Sequence, residues 1–142
     1  MKKLTLFLFT AFILFSCGNR NSSAEQTTEE TSLKTIETSD SVINVLYFHG
    51  TQRCKTCIAV EKVTKETLDS LYSGNARVVY TEVNTDDPSF KDIKERFQIS
   101  WSSLIISKGD TKIDLTDFAF ANALKSPELL KTELEKTINT IL

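Results

Sequence analysis

Proline and glycine are scarce in this 142-residue chain, at 2 and 4 residues, and histidine, tryptophan and methionine occur once each. With no Pro, Gly or Gln bias, a collagen-like or wholly disordered chain is excluded. Hydrophobic residues at 40% and charged residues at 25% are ordinary for a globular protein and also exclude a polytopic membrane protein. There is no surplus of positive charge either. The formal balance is −2, and it falls to −4 if Lys2 and Lys3 leave with a cleaved leader. Nucleic acid and anionic lipid both need a basic patch, so neither is an expected partner. Three cysteines are too few for a disulfide framework and odd in number, so one is expected to have a separate fate. The length allows one domain once the ends are set aside.

The separate fate lies at the N-terminus. Met1-Lys2-Lys3 is a basic start, and Leu4 to Phe15 is apolar except at Thr5 and Thr10. As a helix this run spans roughly 18 Å, short of the ~30 Å hydrocarbon core, so it reads as a secretory leader and not a membrane span. Leu14-Phe15-Ser16-Cys17, followed by Gly18, resembles the bacterial lipoprotein box, which implies a lipoprotein signal over residues 1–17 with an acylated Cys17. An ordinary signal peptide with an incidental cysteine is the alternative. Residues 18–40 are dominated by Ser, Thr, Glu, Asn and Gln, with Ala24, Leu33 and Ile36 as the aliphatic exceptions. Such a stretch cannot offset its own ordering entropy and is expected to be a polar tether.

Residues 41–142 read as the folded domain. Val42 to Phe48 is an apolar, β-branched and aromatic run, expected to be a strand covered on both faces. From Cys54 to about Tyr72 the spacing of Val60, Val63, Thr67 and Leu71 predicts a helix stopped by Gly74-Asn75. Arg77–Val83 follows as a second strand, and Asp86-Asp87-Pro88 opens a helix to about Phe97. Leu104–Ser107 and Lys112–Leu115 are expected to pair across a turn at Lys108-Gly109-Asp110-Thr111. A final helix over Pro127–Ile141 carries Leu130, Leu134, Ile138 and Ile141 on one stripe. Phe118-Ala119-Phe120-Ala121 reads as packing between the last strand and the last helix, and Lys125, Lys131 and Lys136 as a solvated face. The expected fold is α/β, β-α-β-α-β-β-α, a mixed sheet with helices on both faces.

The chemistry concentrates in Cys54-Lys55-Thr56-Cys57, between the first strand and the first helix. A cysteine at a helix start meets unpaired backbone N–H groups and the positive end of the helix dipole, both of which favour its thiolate. The flanking cations Arg53 and Lys55 are expected to push the same way. The second cysteine lies one turn in, within reach of a disulfide. Cys54 is therefore the expected nucleophile and Cys57 the resolving thiol. A structural disulfide is the bland alternative. A one-chain zinc site would need a carboxylate to complete its four ligands.

Across residues 41–142 the chain resembles the thioredoxin superfamily. The strand and loop ending in Cys54-Lys55-Thr56-Cys57 look like its active-site segment. Val83-Asn84-Thr85-Asp86-Asp87 with the helix to Ile99 looks like its second βα unit. Leu104–Asp110 is similar to the hairpin after its cis-proline. The resemblance implies a thioredoxin-like fold and thiol–disulfide exchange without a cofactor. It also implies disulfide-bearing envelope proteins as partners, with a membrane thiol transporter of the DsbD or CcdA type as electron donor. The chain departs from the pattern in three places. The cis-proline position falls on Ser102 or Ser103, the first strand lacks the family's buried acid, and Lys55-Thr56 matches neither Gly-Pro nor Pro-His.

His49, the lone histidine, is a candidate for stabilising the Cys54 thiolate or for ending a strand in a structural hydrogen bond. It also offers, with Cys54 and Cys57, a soft ligand set for Cu(I), which makes a metal carrier the alternative function. A redox-inert adaptor is a further alternative. Trp101, with Ser102 and Ser103, belongs to the loop expected to face the thiols, where it either contacts substrate or fills the core. The whole reads as a lipid-anchored thiol–disulfide oxidoreductase exported to the envelope of a Gram-negative bacterium.

Overall fold

The strand β1 (Ile43–His49) is buried at every position. The computed structural model describes residues 39–142; the leader, Cys17 and nearly all of the tether expected at 18–40 lie outside the described residues. Alternate side chains of a strand point to opposite faces, and β1 uses both. Ile43, Val45 and Tyr47 join a cluster with Val60, Val63, Leu130, Leu134 and Ile138. Leu46 and Phe48 join a second cluster with Phe90, Phe97 and Ile99. Burial of each such large apolar side chain contributes about 1.5–3 kcal/mol, so β1 is the axis around which both layers assemble.

The helix α1 (Lys55–Tyr72) follows and covers the first face. Its C-cap is Ser73, and Gly74 follows at φ +79°, which suits a residue without a Cβ. The strand β2 (Val78–Asn84) runs parallel to β1, in register from Ile43↔Val78 to His49↔Asn84. A 3₁₀ turn at Pro88–Phe90 leads into α2 (Lys91–Arg96) on the second face. The strand β3 (Ser103–Lys108) lies antiparallel to β1, from Asn44↔Ser107 to Phe48↔Ser103. Its hairpin partner β4 (Thr111–Asp114) is reached through Gly109, at φ +53°. Then come α3 (Thr116–Asn122) and α4 (Pro127–Ile141), on the same side as α1. The sheet order is β2-β1-β3-β4, a mixed sheet with helices on both faces, as expected. Among the described residues no helix is long and apolar enough to cross a membrane.

The structure differs from the sequence reading in four places. The strands sit about one residue from their expected ends. The segment after Asp87 begins as a 3₁₀ turn and not as an α-helix; the Asp87 carboxylate accepts from the Ser89 amide at 2.9 Å and tightens that first turn. An eighth regular element, α3, stands where only packing was expected, so the order is β-α-β-α-β-β-α-α. Its alternating Phe and Ala residues carry no 3.6-residue stripe; the helix is started by Asp114, whose carboxylate accepts from the Thr116 amide at 2.9 Å, and held through Ala119 and Phe120 in the core. Finally, Leu71 does not join the buried stripe of α1: it is 47% exposed, and Leu68 takes its place.

Candidate active site

Where β1 ends at His49, the residues Gly50–Arg53 carry the chain over the end of the sheet to α1. This loop is fastened to the start of the next unit. The Thr51 amide donates to Asp86 Oδ2 at 2.7 Å, Asn84 Nδ2 donates to Thr51 Oγ1 at 3.2 Å, and the Thr85 amide donates to the His49 carbonyl at 2.7 Å. A Cβ on Gly50 would stand 3.2 Å from Asp86 Oδ2, so the close approach favours glycine. The Thr51 amide holds the Asp86 carboxyl below its ordinary range.

Cys54 occupies the N-cap of α1, with extended backbone at φ −80° and ψ 164°. Its Sγ accepts the Cys57 amide at 3.1 Å, the bond a Ser or Asp oxygen makes at an ordinary N-cap. Both thiols are free; Cys54 is exposed and Cys57 buried. The Cys57 thiol, with the Cys57 and Thr56 amides behind it, holds the Cys54 thiol below its ordinary value. An exposed, hydrogen-bonded sulfur of lowered pKa with a covered second thiol one turn along can attack a disulfide and be released by its neighbour.

Tyr47 lies beneath this pair. It is fully buried, and its hydroxyl donates to the Cys57 carbonyl at 2.8 Å. Burial pushes that hydroxyl well above its ordinary range, which keeps it a neutral donor to the carbonyl.

The expected thiolate-tuning residues are placed differently from one another. Lys55 is exposed at the first helical position, next to Cys54. Arg53 turns inward instead. Its Nη2 pairs with Glu61 Oε2, its Nη1 lies 3.3 Å from Glu82 Oε1, and its guanidinium sits 5.7 Å from the centre of the Tyr47 ring. His49 is engaged on both ring nitrogens, with Nε2 at 2.8 Å from Glu82 Oε1 and Nδ1 at 2.9 Å from the Gly50 carbonyl. The alternative Cu(I) set of Cys54, Cys57 and His49 is thus not brought together: Glu82 and Gly50 occupy the imidazole. Among the described residues no group of three or more His, Cys, Asp and Glu is placed to hold a metal ion.

Sequence reasoning missed Glu61 and Glu82. Lys65 Nζ bonds Glu61 at 2.6 Å and Glu82 at 2.9 Å, so the two carboxylates gather Arg53, Lys65 and His49 into one cluster. Burial alone would raise the Glu61 carboxyl, but Lys65 and Arg53 together hold it below its ordinary range. The Glu61–Lys65 spacing on one helix was a readable signal; Glu82 enters only through its register opposite Tyr47.

Trp101, Ser102 and Ser103 reach the same end of the sheet, because Ser103 pairs with Phe48. Ser103 is buried, and its hydroxyl donates to the Trp101 carbonyl at 3.0 Å. Trp101 is 71% exposed and fills no core. Ile58, one turn along α1 from Cys54, is 52% exposed. Among the described residues no peptide bond is cis.

No family model and no curated protein sequence matches the chain. Among solved structures it is similar to the germline-specific thioredoxin Deadhead of Drosophila melanogaster, at 23% identity and a TM-score of 0.50, over 72% of this chain and 88% of that one. A malarial protein aligns at 18% identity and a TM-score of 0.40, over 56% of this chain and 93% of that one. The first likeness shows that the fold is thioredoxin-like.

Proposed function

We propose that the chain is a thiol–disulfide oxidoreductase in which Cys54 and Cys57 exchange electrons with protein disulfides. One observation carries the proposal: an exposed cysteine of lowered pKa caps a helix through its sulfur, with a covered cysteine one turn behind it. Cys54 thiolate attacks one sulfur of a substrate disulfide. The substrate S–S bond breaks, its electron pair leaves on the second sulfur, and that thiolate takes up a proton from solvent. Cys57 then loses its proton and attacks Cys54 Sγ, so that the mixed disulfide breaks and the first substrate sulfur leaves as a thiolate. The substrate is reduced by two electrons, and the chain is left with a Cys54–Cys57 disulfide. Another thiol pair must reduce it before the next turnover.

The proposed setting is the envelope of a Gram-negative bacterium, with the domain held to a membrane through a lipid on Cys17. A membrane dithiol carrier of the DsbD or CcdA type would be the electron donor. Support for this setting comes from residues 1–40 alone, their basic start, short apolar run and cysteine box. Incorporation of labelled palmitate that disappears in Cys17→Ser tests it.

Insulin reduction by the purified full-length chain, with dithiothreitol as recycler, tests the chemistry. The expected result is a rate above the thiol background that Cys54→Ser abolishes. Cys57→Ser, reduced beforehand and mixed with insulin without dithiothreitol, should accumulate a mixed disulfide visible on non-reducing gels. A parent chain no faster than background, with both cysteines shown to be reduced, would refute the assignment.

A further inference from the structure

Arg53 immediately precedes the nucleophile, and its guanidinium is paired with carboxylates. The two neighbours differ in exposure and in partners: Cys54 is exposed, while Arg53 is half-buried with its guanidinium 5.7 Å from the centre of the Tyr47 ring. Two carboxylates from different elements hold it there. Glu61 comes from the second turn of α1 and pairs with Nη2; Glu82 comes from the edge strand β2 and lies 3.3 Å from Nη1. Lys65 bridges both carboxylates from the next turn of α1, and His49 from β1 contacts Glu82 at 2.8 Å. Tyr80 of β2 adds the face under Lys65, whose Nζ lies 5.4 Å from its ring centre. Arg53, Lys65, His49 and two carboxylates thus form one network, and Arg53 and His49 bring it against Tyr47, the residue whose hydroxyl reaches the Cys57 carbonyl.

We propose that Glu61 and Glu82 are positioning residues that hold Arg53 against Tyr47 and off the Cys54 sulfur, and so restrain the reactivity of Cys54. The proposal rests on the oxidoreductase reading for its biological meaning and deepens it. A guanidinium free to swing outward from position 53 would reach the neighbouring sulfur as a charge-assisted donor and favour its thiolate. With both acids in place, that donor is engaged by carboxylates, and the Cys57 thiol and the cap amides are left to stabilise the sulfur. The carboxylates therefore set how strongly the dithiol is favoured over the disulfide, without touching either sulfur.

The test is the pH dependence of Cys54 alkylation by iodoacetamide, read on the full-length chain by peptide mass spectrometry so that each cysteine is followed separately. It needs no disulfide substrate, so its outcome stands apart from whether the chain reduces insulin. Glu61→Gln with Glu82→Gln keeps the shape of both side chains and removes their charge. The expected result is a Cys54 midpoint lowered by roughly half a pH unit or more, an electrostatic effect of the size one freed neighbouring charge exerts near a surface. The same pair made in an Arg53→Gln chain should shift the midpoint by clearly less, because only the loss of two negative charges and the release of Lys65 then remain. Glu82→Gln alone should shift the midpoint in the same direction by less, which keeps the test available if the pair does not fold. An unmoved midpoint in Glu82→Gln and in the pair, or an equal shift with and without Arg53, overturns the proposal.

Discussion

Replacing Tyr47 by Phe separates what the residue does for the fold from what it does for the chemistry. The ring is fully buried, and the substitution removes only the hydroxyl that donates to the Cys57 carbonyl at 2.8 Å. That carbonyl lies inside α1, so the helix ladder still gives it a donor. The loss should then be that of one neutral hydrogen bond, about 1 kcal/mol. For a domain of this size that is a fall in Tm of about 4–8 °C, measured by circular dichroism on the reduced protein. Because burial keeps the hydroxyl protonated, no proton should pass through it, and insulin reduction by Tyr47→Phe should stay within about twofold of the parent. A tenfold loss of rate, about 1.4 kcal/mol on the barrier, beside so small a change in Tm would refute the reasoning and put the hydroxyl into proton transfer.

Three further outcomes follow from the coordinates. Gln98 sits at φ +54° just after α2, where a side chain costs backbone strain that glycine does not, so Gln98→Gly should raise stability by about 0.5–1 kcal/mol, read as a higher urea midpoint. The hydroxyls of Tyr47, Tyr72 and Tyr80 are all pushed up, by burial first. A folded pKa above the unfolded one gives stability that is complete below pH 10 and is lost as pH rises beyond it; urea midpoints should therefore fall as pH rises above 10, and midpoints that hold level from pH 10 to 11 would contradict those burials. Trp101→Ala should leave Tm within the range of a surface change, about 0.5 kcal/mol, since the ring is 71% exposed, while raising the KM for a protein disulfide and sparing that for a small aromatic disulfide; equal effects on both substrates would remove the ring from protein recognition.

Much of the fold was legible because it depends on patterns that physics makes local. The apolar run at Val42–Phe48, interrupted only by Asn44, reads as a strand with cover on two sides, and Cys54 before a run of helical spacing marks a helix start whichever residue caps it. The capping sulfur itself follows from that position. The helix α3 was not legible, because seven residues with Phe and Ala in alternation fit a strand or a loop as well as a helix. What settles it is Asp114 at its start and the core that Ala119 enters. Leu71 kept the helical spacing but lies in the last turn of α1, where the exposed side is set by how the helix crosses the sheet and not by periodicity. The inward turn of Arg53 was the least accessible feature. Charge beside a cysteine suggests a tuning cation, and only the parallel register that sets Glu82 opposite Tyr47 shows that the guanidinium has partners elsewhere.

The sulfur that opens α1 carries two duties that cannot be kept at full strength together. As a thiolate it receives the amide of Cys57; bound to a second sulfur it is a neutral and poorer acceptor, and the first turn must then be secured by the covalent link in place of the cap. The Cys57 amide is therefore a built-in gauge of oxidation state. Its proton resonance and its exchange with deuterated solvent should differ between the two forms of the protein, while amides deep in β1 and α4 stay the same, so the progress of electron transfer can be followed on the native chain without a dye or a coupled assay.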